Sequence, residues 1–327
     1  MKKIYSTILL ATAIATQATL AEKTRVYFGT SGSKGIYFAD LDTESGLLST
    51  PQLALEIAQP GFLTTHPAKP ILYAASFEKG GSAGQVVALT INSNGTLTIL
   101  NKQSSKGRNP CHVSIDATGQ CLMVANYGSG SVAAFQIAED GSLSEARSIQ
   151  QHAGKGEHPK RQQGPHAHSI FPNPENTFAY SPDLGIDQVM IYKLDAENGT
   201  LSEPGHAVVP GGSMGPRHMK WSADGKYAYV LNELDVSLSV FRKGQAAGSL
   251  EFIQTISVLP DAADKQQMSC AEIRIHPSGK FIYTSTRDLT EQGRDSISTF
   301  TPCFNLLATA PIHLRIGIVI SIFTAHK

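Results

Sequence analysis

The sequence is poor in the features that announce helices, metal centres or charged partners. Its four cysteines, Cys111, Cys121, Cys270 and Cys303, form no C-x-x-C pair, which leaves a zinc-type site without its usual ligand spacing. Cys111 and Cys121 fall on facing strands of one expected hairpin but out of register, so no disulfide is expected between them. Net charge is absent too: 27 Lys and Arg balance 27 Asp and Glu. That balance argues against a nucleic-acid surface and against a polybasic membrane patch. Almost no segment has a helical period.

The first residues carry a different kind of signal. Lys2 and Lys3 precede a mostly apolar run from Ile4 to Ile14, and Thr19-Leu20-Ala21 follows with small residues. This order is that of an export leader over residues 1–21, which implies a periplasmic or secreted protein. The apolar run is too short for a comfortable transmembrane span.

What the rest of the chain has is repetition. His66-PAKPILYAASF, Asp116-ATGQCLMVANY, Asn173-PENTFAYSPDL, Ser222-ADGKYAYVLNE and His276-PSGKFIYTSTR share a strand–turn–strand pattern, with first residues 50, 57, 49 and 54 positions apart. A second repeat, Gly-x-Leu, recurs at Gly46, Gly95, Gly141, Gly199 and Gly248. Asn-Gly and Asp-Gly in this setting are strong hairpin signals. Two hairpins in each unit of about fifty residues make four strands, which is the blade of a β-propeller. The expected fold is therefore all-β, with an incomplete propeller over residues 22–300. After Phe300 no Gly-x-Leu turn follows, and residues 301–327 read as an atypical tail without blade pattern. The opening strand near Val26 has no first strand before it.

Candidate chemistry follows from equal offsets. Five residues before the unit anchors lie His168 and Arg217; eleven after them lie Glu233 and Arg287. The start of one strand and the end of the next share an edge of a hairpin, so all four are expected on one face of the disc near its axis. A base, an acid and two guanidiniums suit acyl transfer. Asp183 and Asn232, each ten past its anchor, are further rim candidates. His166 and His168, with His152 and His158 upstream, lack a third predictable metal ligand on a rigid element, and neither metal nor organic cofactor is implied.

Arg161-QQGPHAHS, Pro182-DLGIDQV, Gly215-PRHM, Tyr229-VLNELD and Ala271-EIRIHPSGKFIYTSTR resemble, in order, the motifs of the seven-bladed lactonase family. That family includes propeller-type bacterial 6-phosphogluconolactonases and a fungal carboxymuconate-lactonizing cycloisomerase. The resemblance implies His168, Arg217, Glu233 and Arg287 as the active-site set; Arg161, His166, Asp183, His218 and Asn232 are the expected substrate-binding residues around them. It implies hydrolysis of a sugar-type lactone, a small-molecule substrate, by general-base-activated water with arginines binding the oxyanion. His168 and Glu233 both remain candidates for the base. A lactonizing cycloisomerase and a non-catalytic periplasmic propeller are the alternatives. Family members continue through a seventh blade, so about one and a half blades are expected to be missing here.

Overall fold

The computed structural model describes residues 23–78, 83–290, 292–302, 306–311 and 319–321. The expected leader over residues 1–21 and Cys303 lie outside them. Among the described residues there is no helix, and 24 strands form six four-stranded sheets. The first contains β1 (Lys23–Gly29), β2 (Gly35–Asp42) and β3 (Gln52–Glu56). The second runs β4 (Phe62–Thr65), β5 (Ile71–Phe77), β6 (Gly84–Ile91), β7 (Leu97–Ser104). The third is β8 (Pro110–Ile115), β9 (Cys121–Asn126), β10 (Ser131–Ile137), β11 (Leu143–Gln151). The fourth is β12 (Phe171–Pro172), β13 (Phe178–Asp183), β14 (Gln188–Asp195), β15 (Thr200–Val208). The fifth is β16 (Pro216–Trp221), β17 (Tyr227–Asn232), β18 (Ser237–Lys243), β19 (Leu250–Ser257). The sixth is β20 (Met268–Ile275), β21 (Ile282–Asp288), β22 (Ser296–Phe300), β23 (Leu306–Pro311), and β24 (Val319–Ser321) returns to the first.

The all-β propeller architecture is thus present, as six blades. Sequence pattern tracks position within each blade. β5 and β9 are almost continuously apolar and buried, because both of their faces meet neighbouring blades. The outermost β11 alternates buried and exposed residues, since one face looks to solvent. The cores lie between blades: Tyr73, Ala75 and Val86 of the second pack with Val124, Ala133 and Phe135 of the third. Burial of this kind stabilises by about 25 cal/mol per Å² of apolar surface.

Two of the repeated Gly-x-Leu turns show why glycine is required. Gly95 (φ 90°) and Gly141 (φ 88°) are in the left-handed region. A Cβ on Gly141 would overlap the Ile71 side chain of the preceding blade. Their carbonyls accept hydrogen bonds from the buried hydroxyls of Tyr27 and Tyr73, at 3.0 and 2.9 Å. Tyr180 donates likewise to Gly248 at 2.8 Å. The repeat therefore encodes a clasp from one blade to the next.

The stretch after Phe300 corrects an expectation. Instead of lacking blade structure, it supplies two strands: β23 pairs with β22 and completes the sixth sheet, and β24 pairs with β1 through Tyr27–Ser321, Phe28–Ile320 and Gly29–Val319. Sheet edges present unpaired N–H and C=O groups, and main-chain pairing satisfies them without requiring the motif of a regular blade.

Candidate active site

A recurrent backbone irregularity places the site. The inner strands carry a register shift near their start: between Pro216 and His218 in β16, between Pro110 and His112 in β8, and between Cys270 and Ile273 in β20. Such a bulge inserts one unpaired residue and re-aims its side chain. In β16 the extra residue is Arg217, and in β8 it is Cys111. In the fourth blade the irregular segment between the Ala167–Asp183 bridge and β12 carries His168.

Glu233, just past β17, is the hub. Its buried carboxylate meets Arg217 Nε at 2.8 Å, Arg161 Nη2 at 2.9 Å, Arg287 Nη2 at 3.2 Å and His168 Nε2 at 3.6 Å. Its own N–H donates to the Gly215 carbonyl at 2.7 Å. The structure thus brings the four offset-matched residues together from three adjacent blades and adds Arg161 from the 152–170 loop. Burial works to raise the pKa of Glu233, but Arg217, His168, Arg287 and the Arg161 hydrogen bond outweigh it and hold it down to about 2. Burial, with Arg217 alongside, pushes His168 well below the usual imidazole value despite Glu233. At neutral pH the mouth therefore contains an ionised carboxylate, three guanidiniums and a neutral imidazole.

The arginines are held but not saturated. Arg217 also reaches the Ala271 carbonyl through Nη1, and Arg287 donates to Ser269 Oγ at 3.2 Å and to the Cys270 carbonyl at 3.1 Å. Arg217 Nη2 and Arg287 Nη1 make no hydrogen bond among the described residues, which leaves donors for an oxyanion or carboxylate. The side chain of Arg287 is 42% exposed and that of Arg161 36%, against 6% for Glu233. The site is open on its arginine side.

Other expected site residues lie behind this surface. Asp183 is fully buried; its oxygens take the His152 ring at 2.6 Å and the N–H groups of His166 and Gly185 at 2.7 and 2.8 Å. It ties down the long loop rather than facing a ligand. Gln162 completes that anchorage through Asp187 at 2.7 Å, and so fixes its neighbour Arg161. Asn232 is buried too, donating to Ser237 and Ser239 at 3.0 and 2.8 Å. His166 remains half-buried, stacked on Tyr127 with centroids 4.4 Å apart.

His218 sits one residue further along β16 than Arg217, in a belt of packed rings. Its ring meets His112 at 5.3 Å, His168 at 5.5 Å and Phe62 at 5.8 Å, while His112 packs on Phe62 and Phe171. These side chains come from four blades, so they converge on the centre of the disc. His218 Nδ1 lies 3.1 Å from Glu272, which Arg274 also approaches at 3.7 Å. Burial lowers His218 to about 4, against the pull of Glu272. Lys220, three residues beyond Arg217 and over the Phe171 ring at 3.9 Å, is lowered to about 7 by burial and then by Arg274.

The sequence reading missed Cys111, His112, Tyr127, Lys220, Glu272 and Arg274. Two of these were within reach, because the productive offsets, applied to the third unit, name Cys111 and Tyr127. Cys111 Sγ lies 3.7 Å from His168 Nδ1, and burial pushes its thiol up to about 12. It, Cys121 and Cys270 are free. Among the described residues no group of three or more His, Cys, Asp or Glu side chains could hold a metal.

The family described as "Lactonase, 7-bladed beta-propeller" matches residues 25–302. The chain belongs to this lactonase family. It is 40% identical over 279 residues to a 6-phosphogluconolactonase of Bacillus subtilis, across 84% of this chain and 76% of that protein. A Lactobacillus plantarum crystal structure superposes with a TM-score of 0.78 at 29% identity, covering 89% of this chain and 82% of that one. The periplasmic gluconolactonase of Pseudomonas aeruginosa shares the fold, with a TM-score of 0.80 at 24% identity over 89% and 84% of the two chains. Family membership supports lactonase-type hydrolysis in general.

Proposed function

We propose that this protein hydrolyses a sugar-type lactone, and that it does so in the periplasm or outside the cell. The observation that carries this reading is the neutral His168 beside an ionised Glu233 that is bound to three guanidiniums. A carboxylate held near 2 and shared by three cations is a weak base, so Glu233 serves to lock Arg217, Arg161 and Arg287 in place. His168 takes the proton from the attacking water. Arg217 and Arg287 offer their remaining N–H groups to the oxygen that gains negative charge as the tetrahedral intermediate forms. Arg161 and His166 line the approach. Asp183, Asn232 and His218 support it from behind.

The B. subtilis relative suggests a phosphorylated lactone, whereas an export leader would bring the protein to lactones without phosphate. The test is therefore a pH-stat assay on glucono-δ-lactone and its 6-phosphate, corrected for spontaneous hydrolysis. His168→Ala should lower kcat by about 10²–10⁴-fold. No turnover of either lactone by the parent protein would overturn the reading.

A further inference from the structure

We propose that Tyr127 is a further catalytic residue, the general acid that protonates the departing ring oxygen; this rests on the lactonase reading above. Tyr127 lies eleven residues after Asp116, the position that Glu233 and Arg287 occupy in their own units, and so reaches the same mouth. Its ring stacks on His166 and meets the His168 ring edge-on at 5.2 Å. Its backbone carbonyl lies 3.0 Å from His166 Nδ1, which fixes the ring from below.

The decisive feature is the direction of the hydrogen bond at the hydroxyl. Arg161 Nη2 lies 3.1 Å from Tyr127 Oη, and a guanidinium can only donate. The phenol oxygen therefore accepts, and its own proton has no partner among the described residues. The same Nη2 binds Glu233 at 2.9 Å, so the donor is held in position. A half-buried tyrosine that accepts from a fixed cation and keeps its proton for another group is set to give that proton away. The cation is also placed to stabilise the tyrosinate left behind.

The steps balance. Water adds through its oxygen to the lactone carbonyl carbon, and its proton passes to His168. When the intermediate collapses, the bond from that carbon to the ring oxygen breaks, and the ring oxygen takes the Tyr127 proton to leave as a hydroxyl. The tyrosinate then recovers a proton from the His168 imidazolium through solvent. The sum is lactone plus water giving hydroxy acid, with no other reactant.

The test uses leaving groups of different basicity. An alkoxide needs a proton to depart and a phenolate does not, so Tyr127→Phe should lower kcat on glucono-δ-lactone by about 10²-fold or more. It should leave kcat on dihydrocoumarin, an aryl lactone, within a few-fold of the parent. An equal loss on both substrates would mean that Tyr127 only positions Arg161, and would overturn the proposal. If the parent does not turn over the aryl lactone, the alkaline side of the kcat–pH profile on glucono-δ-lactone decides. A decline present in the parent and absent from Tyr127→Phe supports the acid role, and the same decline in both overturns it. Absence of any lactonase activity in the parent would instead strike the functional reading itself.

Discussion

The mouth of the channel and the belt beneath it are built from the same parts and differ in what faces them. Each has one carboxylate bound by groups from neighbouring strands: the buried Glu233 with Arg217, Arg161, Arg287 and His168 above, the half-buried Glu272 with His218 and Arg274 below. Along β16 the two layers are one to three residues apart, on the order of 3–10 Å at the rise of a strand. The mouth leaves Arg161 and Arg287 partly in solvent, whereas His112 and His218 are enclosed by Phe62, Phe171 and each other. The contrast teaches that a network of buried charges does not by itself mark a site. The proposed site is placed at the mouth because two partly exposed arginines there meet a nearly enclosed carboxylate beside a neutral imidazole.

The sharpest way to break the comparison is to neutralise each carboxylate. Glu233→Gln leaves three guanidiniums without their shared anion and should cost about 3–5 kcal/mol of stability in denaturant melts. Glu272→Gln should cost less, because its side chain is 22% exposed against 6% for Glu233, so water reaches the groups left behind. A belt variant as unstable as the mouth variant would erase the distinction. Next in size is Arg217→Lys, which keeps the charge and loses the planar fork. Turnover should fall by about 10²–10³-fold with the melting temperature nearly unchanged, and a change within a few-fold would remove Arg217 from oxyanion binding.

Acid should act mainly on the imidazoles. His218 is held at about 4, and burial keeps His112 and His168 well below the ordinary 6.5. Below 6.5 the unfolded chain binds protons at these positions while the folded chain refuses them. Stability is therefore full above 6.5 and falls as pH drops toward 4, by roughly 1.4 kcal/mol per pH unit for each group within its window. Melts between pH 8 and 5 read this directly, and a flat profile would contradict the enclosed belt. An effect in the alkaline range is expected at Lys220, lowered to about 7 from an ordinary 10.5. There the unfolded chain holds the extra proton between these values, so this residue's contribution to stability rises with pH from 7 to 10.5. Lys220→Met should abolish that rise and gain on the order of 1 kcal/mol at pH 7, checked by melts of both proteins at pH 7 and 9.

Much of the site was legible because a repeat makes position along the chain equivalent to position in space. His168, Arg217, Glu233 and Arg287 share two offsets, and the same offsets in the third unit would have added Cys111 and Tyr127. Arg161 did not follow from any offset, because it lies on the 152–170 loop and is fixed by Gln162 and Asp187. Asp183 and Asn232 were placed on the right edge, yet their side chains turn into the backbone and neighbouring serines.

The amino-acid sequence alone determined the blade: its strand periodicity, its turn glycines and the tyrosines that clasp one unit to the next are local or recur at a fixed interval. It also placed His168, Arg217, Glu233 and Arg287 at unit positions that the fold brings together. Only the tertiary structure decided three things. Inner-strand bulges turn Arg217 and Cys111 out of register, which no periodicity records. The stretch after Phe300 pairs at two open sheet edges, because main-chain hydrogen bonding accepts sequence that has no motif. The charge states of Glu233 and His168, both candidates for the base, are set by surroundings drawn from several blades: guanidiniums hold the carboxylate ionised, and burial keeps the imidazole neutral.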